Sequence, residues 1–438
     1  MNDIKSSMGQ KYGLRNQEMS SVLKKALTQK TFPGAEHTAV LFYDLSFIEE
    51  RINRLTKVFP ETALHAIAAK ANPLSKILNR IINLGVGLEV ASQPEIYFAE
   101  KAGFAPENIV FDSPCKTREE IEYALQSGIY INADSFDELD RIDELLKAID
   151  SKSKIGLRIN PQVGTGSIKS TSVAGTISKF GVPLIENRQR IIESYLKYKW
   201  LKGIHVHIGS QGCPVPLLIE GIRKVLDLAL EINSNLIKVS KSPISVFDIG
   251  GGLPVSYYTD KEPVTIEQYH SMLKETCQEL FTDDFRLITE FGRYIYANSG
   301  WVAARVEYVK REPGINIIIT HVGADLFLRK CYNPGDWHHE ITVTDKFGNL
   351  KSGMDTNKYI VAGPLCFAGD VLATDLELPE VVEGDYILIH DAGAYTLSMW
   401  SRYNSRQMPK VIGYDLENDT FEVLKERESK EDLLDFWS

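Results

Sequence analysis

Eight short runs of nearly unbroken apolar residues recur between residues 63 and 291. They are 63–70 (ALHAIAAK), 86–91 (VGLEVA), 109–113 (IVFDS), 129–134 (IYINAD), 154–159 (KIGLRI), 203–208 (GIHVHI), 245–250 (SVFDIG) and 286–291 (RLITEF). Runs of this length and character read as strands buried on both faces of a parallel sheet. Between them lie stretches such as LSKILNRIINLG, QPEIYFAEKAG and REEIEYALQSG, with apolar residues at three- and four-residue spacing and a closing glycine, which predict helices. Eight strands alternating with helices over roughly 230 residues predict a (β/α)8 barrel of the TIM type. The pattern changes after about residue 295: WVAARVEYVKRE, INIIIT, HEITVTD, KYIVAG, DYILIHD and KVIGYD predict short strands separated by turns. Residues 1–37 are polar and predict a loose segment, followed by a candidate strand in AVLFYDL. The expected division is a segment 1–44 that joins the β domain, a barrel over 45–295, and a C-terminal β-sandwich or β-barrel domain over 296–438 that takes the N-terminal strand.

Composition narrows the function classes. The 438 residues carry a formal charge of −10, which disfavours nonspecific binding to nucleic acid or anionic membrane. No run of about 18 apolar residues exists, and the polar N-terminus lacks an apolar signal core, so a cytoplasmic protein is expected. Cys115, Cys213, Cys277, Cys331 and Cys366 are scattered, odd in number and without CxxC spacing, which argues against disulfides or structural zinc. His338 and His339 lack HExxH spacing, and no metal site is expected there.

In a parallel barrel the chemistry sits at the C-terminal ends of the strands. Lys70, Glu89, Asp112, Asp134, Arg158, His207, Gly250 and Glu290 all fall at or near such ends, although polar residues close most strands because loops begin there. A lysine in that place suits a Schiff base with a carbonyl or with pyridoxal phosphate. FDIGGGLP puts Gly250, Gly251 and Gly252 after a strand, where backbone amides can cradle a phosphate or simply make a tight turn. The GxGxxG dinucleotide pattern is absent. HVHIGSQ puts His205 and His207 on one strand face, as a ring partner or as core histidines, with Ser210 as a phosphate donor. ITEFGRY offers Glu290 to a pyridine nitrogen and Arg293 to an anion, or the two as a rim ion pair. GPLCFAGD presents the thiol of Cys366, a candidate general acid, and DAGAYTLSMWSRYNSR presents Tyr395, a candidate phosphate donor.

Together these motifs resemble the fold-type III pyridoxal-phosphate decarboxylases, the family of diaminopimelate and ornithine decarboxylases. The resemblance runs from about residue 38 to 430 and is closer to the diaminopimelate branch, in HVHIGSQ, GPLCxxGDVLATDxELP and DAGAYxxSMxSxYNSR. It implies a pyridoxal 5′-phosphate enzyme that releases carbon dioxide from an α-amino acid through a Schiff base on Lys70. It implies that His207 stacks on the ring, that Ser210, Gly250, Gly251, Gly252 and Tyr395 hold the phosphate, and that Glu290 meets the pyridine nitrogen. Arg293 would serve the phosphate or the substrate carboxylate. An obligate homodimer with shared active sites is implied, in which Cys366 reaches the neighbouring site.

The chain departs from the family at three places. Phe367 stands where the family carries an acid that meets the distal ammonium of the substrate. The Arg-Pro-Ala-Leu-Tyr segment reads LFLRKCYNP, with Tyr332 in place of the tyrosine but the arginine one position late, as Arg329. EPGR reads EFGR, with Phe291 for proline. The three changes are expected to cluster at the distal end of the substrate, among contacts that include Arg293, Arg329, Tyr332, Phe367 and Tyr395. An altered substrate is the first expectation, a genuine meso-diaminopimelate decarboxylase making L-lysine the second. A racemase is disfavoured because Glu290, not an arginine, faces the ring, and an inactive regulatory homologue is disfavoured by Lys70 and Cys366.

Overall fold

The computed structural model describes residues 2–29, 38–258, 261–353 and 355–438, with side chains from residue 15 onward. It divides into two compact units. One is Met1–Ile48 with Ser256–Glu262 and Tyr296–Ser438; the other is Glu49–Val255 with Pro263–Ile295. Strand β1 (Ala39–Asp44) belongs to the first unit, and the second is the barrel.

The barrel strands are β2 (Leu64–Ala68), β3 (Gly87–Val90), β4 (Ile109–Asp112), β5 (Tyr130–Ala133), β6 (Ile155–Asn160), β8 (Leu201–Val206), β9 (Val246–Asp248) and β10 (Arg286–Thr289), with a two-residue β7 (Val182–Pro183) beside β6. All eight pair in parallel with their neighbours, and β10 closes the ring onto β2. Continuous apolar runs form them because both faces are covered, and β2 to β5 are buried at every position. The connecting helices start and stop where the chain specifies. Thr117 and Glu120 form a reciprocal cap, and Gly103 and Gly128 close their helices in left-handed geometry. Inside the barrel, Leu64, Ala66, Val110, Tyr130, Val246 and Ile288 make an apolar layer. Towards the strand C-termini the interior turns ionisable: β-bridge registers align Asp112 with Asn132, and Arg158 with His205 and Asp248.

The other unit is a mixed sheet ordered β15-β14-β12-β11-β1-β17-β18, with β16 bridging β11 and β13. Its strands are β11 (Gly300–Glu312), β12 (Ile315–Thr320), β13 (Ile341–Thr344), β14 (Asn357–Ala362), β15 (Val371–Leu378), β16 (Tyr386–Ile389), β17 (Lys410–Asp415) and β18 (Thr420–Lys425). The expected N-terminal strand is present: β1 lies antiparallel to β11 and parallel to β17, with Phe42 opposite Trp301 and Ile412.

The expectation of a loose N-terminus is corrected for residues 2–28, which form one helix; residues 30–37 lie outside the described residues. Met19, Val22, Leu23 and Ala26 follow the i, i+3, i+4, i+7 spacing of a helical face and pack into the core formed by Phe42, Trp301 and Tyr414. Each of the larger side chains contributes roughly 1.5–3 kcal/mol of burial. The polar residues between them mask this stripe in the sequence.

Candidate functional site

Lys70 lies just past its strand, in a 3-10 turn over Ala69–Ala71 that follows β2. Its Nζ is 2.5 Å from Oε1 of Glu89, which is fully buried at the end of β3 while the lysine side chain stays 42 % exposed. The amine is thus tethered at its tip and open along its length. The turn fits because its neighbours are small: Ala68 and Ala71 lie against Gly292, where an added Cβ would meet their Cβ atoms at 2.9 and 2.8 Å.

The glycine loop after β9 is shaped by close approach. Gly250 and Gly252 have φ of +65° and +100°, and a Cβ on Gly251 would sit 2.3 Å from the carbonyl oxygen of Glu290. The Gly251 amide donates to His207 Nδ1 at 3.1 Å, and Glu290 N donates to Gly250 O at 2.8 Å. The first bond leaves the His207 ring neutral, with its proton on Nε2. Arg293, itself buried, donates from Nε to Ser210 Oγ at 3.2 Å. Lys70, His207, Ser210, Gly250–Gly252, Glu290 and Arg293 therefore all lie in the barrel unit around the ends of β2, β8, β9 and β10.

Below them is a buried charged group that motif reading only partly caught. Glu89, Asp112 and Arg158 stand out as strand ends and His205 as the inner histidine of HVHIGSQ, but Asp248 carried no assigned role. Its only signal is alternation, since it lies two residues before Gly250. Arg158 Nη1 holds Asp112 Oδ2 at 2.8 Å, and Asn132 on β5 donates to Asp248 on β9 across the barrel at 2.9 Å. His205 Nδ1 is 3.6 Å from Asp112 Oδ1, and its Nε2 is 3.7 Å from Glu290 Oε2. Asp112, His205 and Glu290 bring one ligand atom each within 4.8 Å of one another, a grouping the sequence did not suggest.

Burial and neighbours sort the protonation states. Burial opposes charge on His205, but Asp248, Asp112 and Glu290 outweigh it and lift the imidazole to about 9. Burial pushes the Glu290 carboxyl up, yet His205 and then Lys70 hold it below the usual range. Burial likewise raises Asp112, and Arg158 with His205 pulls it well below an ordinary carboxylate. Asp248 rises to about 8 through burial and the Glu290 charge, and Glu89 rises to about 8 through burial against the pull of Lys70. His207 falls to about 3 through burial and the Arg158 charge. Near neutral pH Glu290 and Asp112 are ionised, His205 is cationic and His207 neutral, while burial gives Asp248 and Glu89 a stronger hold on a proton than an ordinary carboxyl has.

The remaining candidates lie in the sheet unit. The loop 363–370 closes on buried Asp370, which accepts from Ala324 N at 2.5 Å and Leu365 N at 2.7 Å. This presents Cys366 to solvent, with its amide on Asn404 and its carbonyl accepting from Tyr403 Oη. Phe367 stacks on the ring of Tyr332, centroids 4.9 Å apart and planes 19° apart. Arg329 lies between two aromatic rings, 4.6 Å from the Trp337 centroid and 4.5 Å from that of Tyr395, which holds a left-handed φ of 57°. Phe291, the third departure, is buried. It is a 1 % exposed core residue of the barrel unit, packed edge-on against Tyr269 and tilted against Phe59. His338 stacks on Tyr258 and pairs with Glu340, while His339 Nδ1 meets His390 O, so the two adjacent histidines engage different partners.

Residues 45–297 match the family described as pyridoxal-dependent decarboxylase, pyridoxal binding domain. The chain is 33% identical to a diaminopimelate decarboxylase of Aquifex aeolicus, over 90% of both chains, and 31% identical to one of Archaeoglobus fulgidus, over 91% of this chain and 92% of that one. The chain belongs to the pyridoxal-dependent decarboxylases. Among solved structures it resembles the diaminopimelate decarboxylase of Helicobacter pylori complexed with L-lysine, with a TM-score of 0.80, 32% identity, and 91% and 96% of the two chains covered. As a member of this family it is a carboxy-lyase that uses pyridoxal 5′-phosphate. The barrel residues fit that cofactor. Glu290 Oε1 is buried without a hydrogen-bond partner among the described residues, an acceptor suited to a pyridinium N–H. Three glycines bare their backbone where side chains would collide, and an amine stands at the mouth.

Proposed function

We propose that this decarboxylase acts on an α-amino acid whose distal end presents no ammonium group to residue 367. The observation that carries the reading is the Phe367–Tyr332 stack: an aromatic pair occupies the loop where the resemblance places an acid. A phenyl ring accepts no hydrogen bond from an ammonium, and burying even a neutral polar group unpaired costs roughly 2–7 kcal/mol. Pyridoxal phosphate, when bound, supplies the sink for the electron pair left as carbon dioxide departs. In this proposal Lys70 is the amine that holds it, and Glu89, with its raised proton affinity, takes the proton that Lys70 must shed to become nucleophilic. Ionised Glu290 accepts from the ring nitrogen and keeps it protonated. Neutral His207, fixed by the Gly251 amide, offers a flat face. The phosphate approaches the bare backbone of Gly250–Gly252, where the Gly252 amide, Ser210 and Arg293 bind it while the Gly250 and Gly251 amides hold Asp248 and His207. Tyr395 and Arg329 are proposed as further phosphate and substrate contacts, and Cys366 as the proton donor to a neighbouring copy in a homodimer.

A second reading, decarboxylation of meso-diaminopimelate, is favoured by the relatives that carry that name at 31–33% identity. Carbon dioxide release by the loaded enzyme decides between them. Turnover of amino acids with an uncharged or anionic distal end, with meso-diaminopimelate left untouched, is expected. Strong turnover of meso-diaminopimelate would sink the first reading in favour of the second.

A further inference from the structure

We infer that His205 is a positioning residue: as an imidazolium it bridges Asp112 and Glu290 and keeps Glu290 ionised and aimed for its cofactor contact. The inference rests on the reading of Glu290 given above.

The argument begins with valence. His205 is fully buried on β8, and each ring nitrogen faces a carboxylate, Nδ1 towards Asp112 Oδ1 at 3.6 Å and Nε2 towards Glu290 Oε2 at 3.7 Å. A neutral imidazole has one N–H and one lone pair, so either tautomer turns a lone pair on a carboxylate. Only the cation is attractive on both sides. Neither ring nitrogen, nor Asp112 Oδ1, has a hydrogen-bond partner among the described residues, so the ring meets each carboxylate as a charge across 3.6 and 3.7 Å. Arg158 is engaged on the far side, holding Asp112 at 2.8 Å and reaching towards Asp134 at 3.9 Å, while Lys70 and Lys116 act on Asp112 from further off.

The surroundings make a counter-ion necessary. Asp112 on β4, Asp248 on β9 and Glu290 after β10 all act on His205, with Arg158 its β-bridge neighbour on β6 and His207 two residues on. Besides His205, Glu290 feels the acids Asp112, Glu89 and Asp248, the cations Lys70 and Arg158, and His207, whose Nδ1 is 4.0 Å from Oε2. Without His205, a buried Glu290 beside acidic neighbours would take up a proton, and its free Oε1 would no longer serve a pyridinium as an anion. Asp112, gripped by Arg158, fixes the far side of the ring and so sets the direction in which Nε2 points. The charge pairing parallels the way a carboxylate orients a functional histidine in other sites, with the histidine here orienting a carboxylate.

The test uses His205→Gln and Glu290→Gln, singly and together, in the full chain. Pyridoxal phosphate affinity and the pH course of the bound cofactor's absorbance are read, without need of a substrate. His205→Gln is expected to weaken cofactor affinity ~10-fold or more and to move the acid limb of the absorbance titration up by at least about one pH unit. In the Glu290→Gln background the same change is expected to cost no more than about threefold, because its effect passes through Glu290. An equal loss in both backgrounds, or an acid limb that stays in place, overturns the inference. If Glu290→Gln itself leaves affinity and spectrum unchanged, the reading of Glu290 fails and the inference falls with it. One equivalent of firmly held divalent metal in the native protein, lost in His205→Gln, also overturns it, since Asp112, His205 and Glu290 would then be ligands. Should His205→Gln not fold, His205→Lys restores a cation: an acid limb at the native position supports the inference, and a raised limb overturns it.

Discussion

Replacing Phe367 with glutamate tests the substrate reading most directly. In the native loop the ring stacks on Tyr332 at 4.9 Å and 19°, a pairing worth roughly 0.5–1.5 kcal/mol. The substitution forfeits that contact and supplies a carboxylate on the same loop, whose backbone is pinned by Asp370 and therefore holds its course. A charge-assisted hydrogen bond to a substrate ammonium is worth about 1.5–3 kcal/mol. At one decade per 1.4 kcal/mol, kcat/KM on meso-diaminopimelate should rise ~10- to 150-fold relative to that on amino acids without a distal ammonium. The assay is initial-rate carbon dioxide release from both substrates, with cofactor occupancy measured in parallel so that a loading defect is not mistaken for a change of preference. A folded, fully loaded variant whose preference ratio stays within threefold of the native enzyme would refute the assignment of residue 367 to the distal contact.

Other outcomes follow from the same geometry. Lys70→Ala should leave no cofactor covalently attached after borohydride reduction, read by intact mass, and attachment at another lysine would refute the role of Lys70. Gly251→Ala puts a Cβ 2.3 Å from the Glu290 carbonyl, so cofactor affinity should fall by on the order of tenfold or more, as followed by fluorescence titration, and an unchanged affinity would count against the cradle. Asp391 is held below the usual carboxylate range because Arg15 at 2.8 Å, with His390 and Asn298, outweighs its burial. A group with a depressed folded value contributes stability that is present above its unfolded value near ~3.9 and lost as pH falls through the folded one. Asp391→Asn should therefore lower unfolding free energy by about 1–3 kcal/mol at pH 7, a figure reduced for the partial exposure of Arg15, with the gap closing in acid. A gap of constant size from pH 7 to pH 3, measured by denaturant melts, would contradict the ion pair.

The barrel was legible because each of its strands is buried on both faces, so that runs such as IVFD and IYINA carry the signal without neighbours. Strands β15 and β18 were missed for the opposite reason: VLATDLEL and TFEVLK are polar on their solvent side and alternate too loosely to stand out. Motifs named Lys70, His207, three glycines and Glu290, which the structure gathers at the strand ends of the barrel unit. The layer beneath was harder to see. A sequence does not say that His205, Asp112 and Asp248 are buried together, and their chemistry exists only through that burial. Phe291 was illegible in another way: a departure from a family pattern carries no sign of burial, and only its packing against Tyr269 and Phe59 shows it.

The placement of β1 has a consequence for how the chain is made. Its two partners, β11 and β17, lie far downstream, so Phe42 waits for Trp301 and then for Ile412. At roughly 5–20 residues per second, the ribosome takes on the order of 20–70 seconds to travel from β1 to β17. Through that interval the apolar strand AVLFYD has both edges unpaired, a hazard for pairing with other nascent chains. The whole barrel is synthesised and can fold during the wait. The helix 2–28, whose Met19, Val22 and Leu23 pack in the same core as Phe42, is made before that strand and is available to cover it. Removing that helix should therefore show first as a loss of yield during synthesis, before any loss of activity in the molecules that mature.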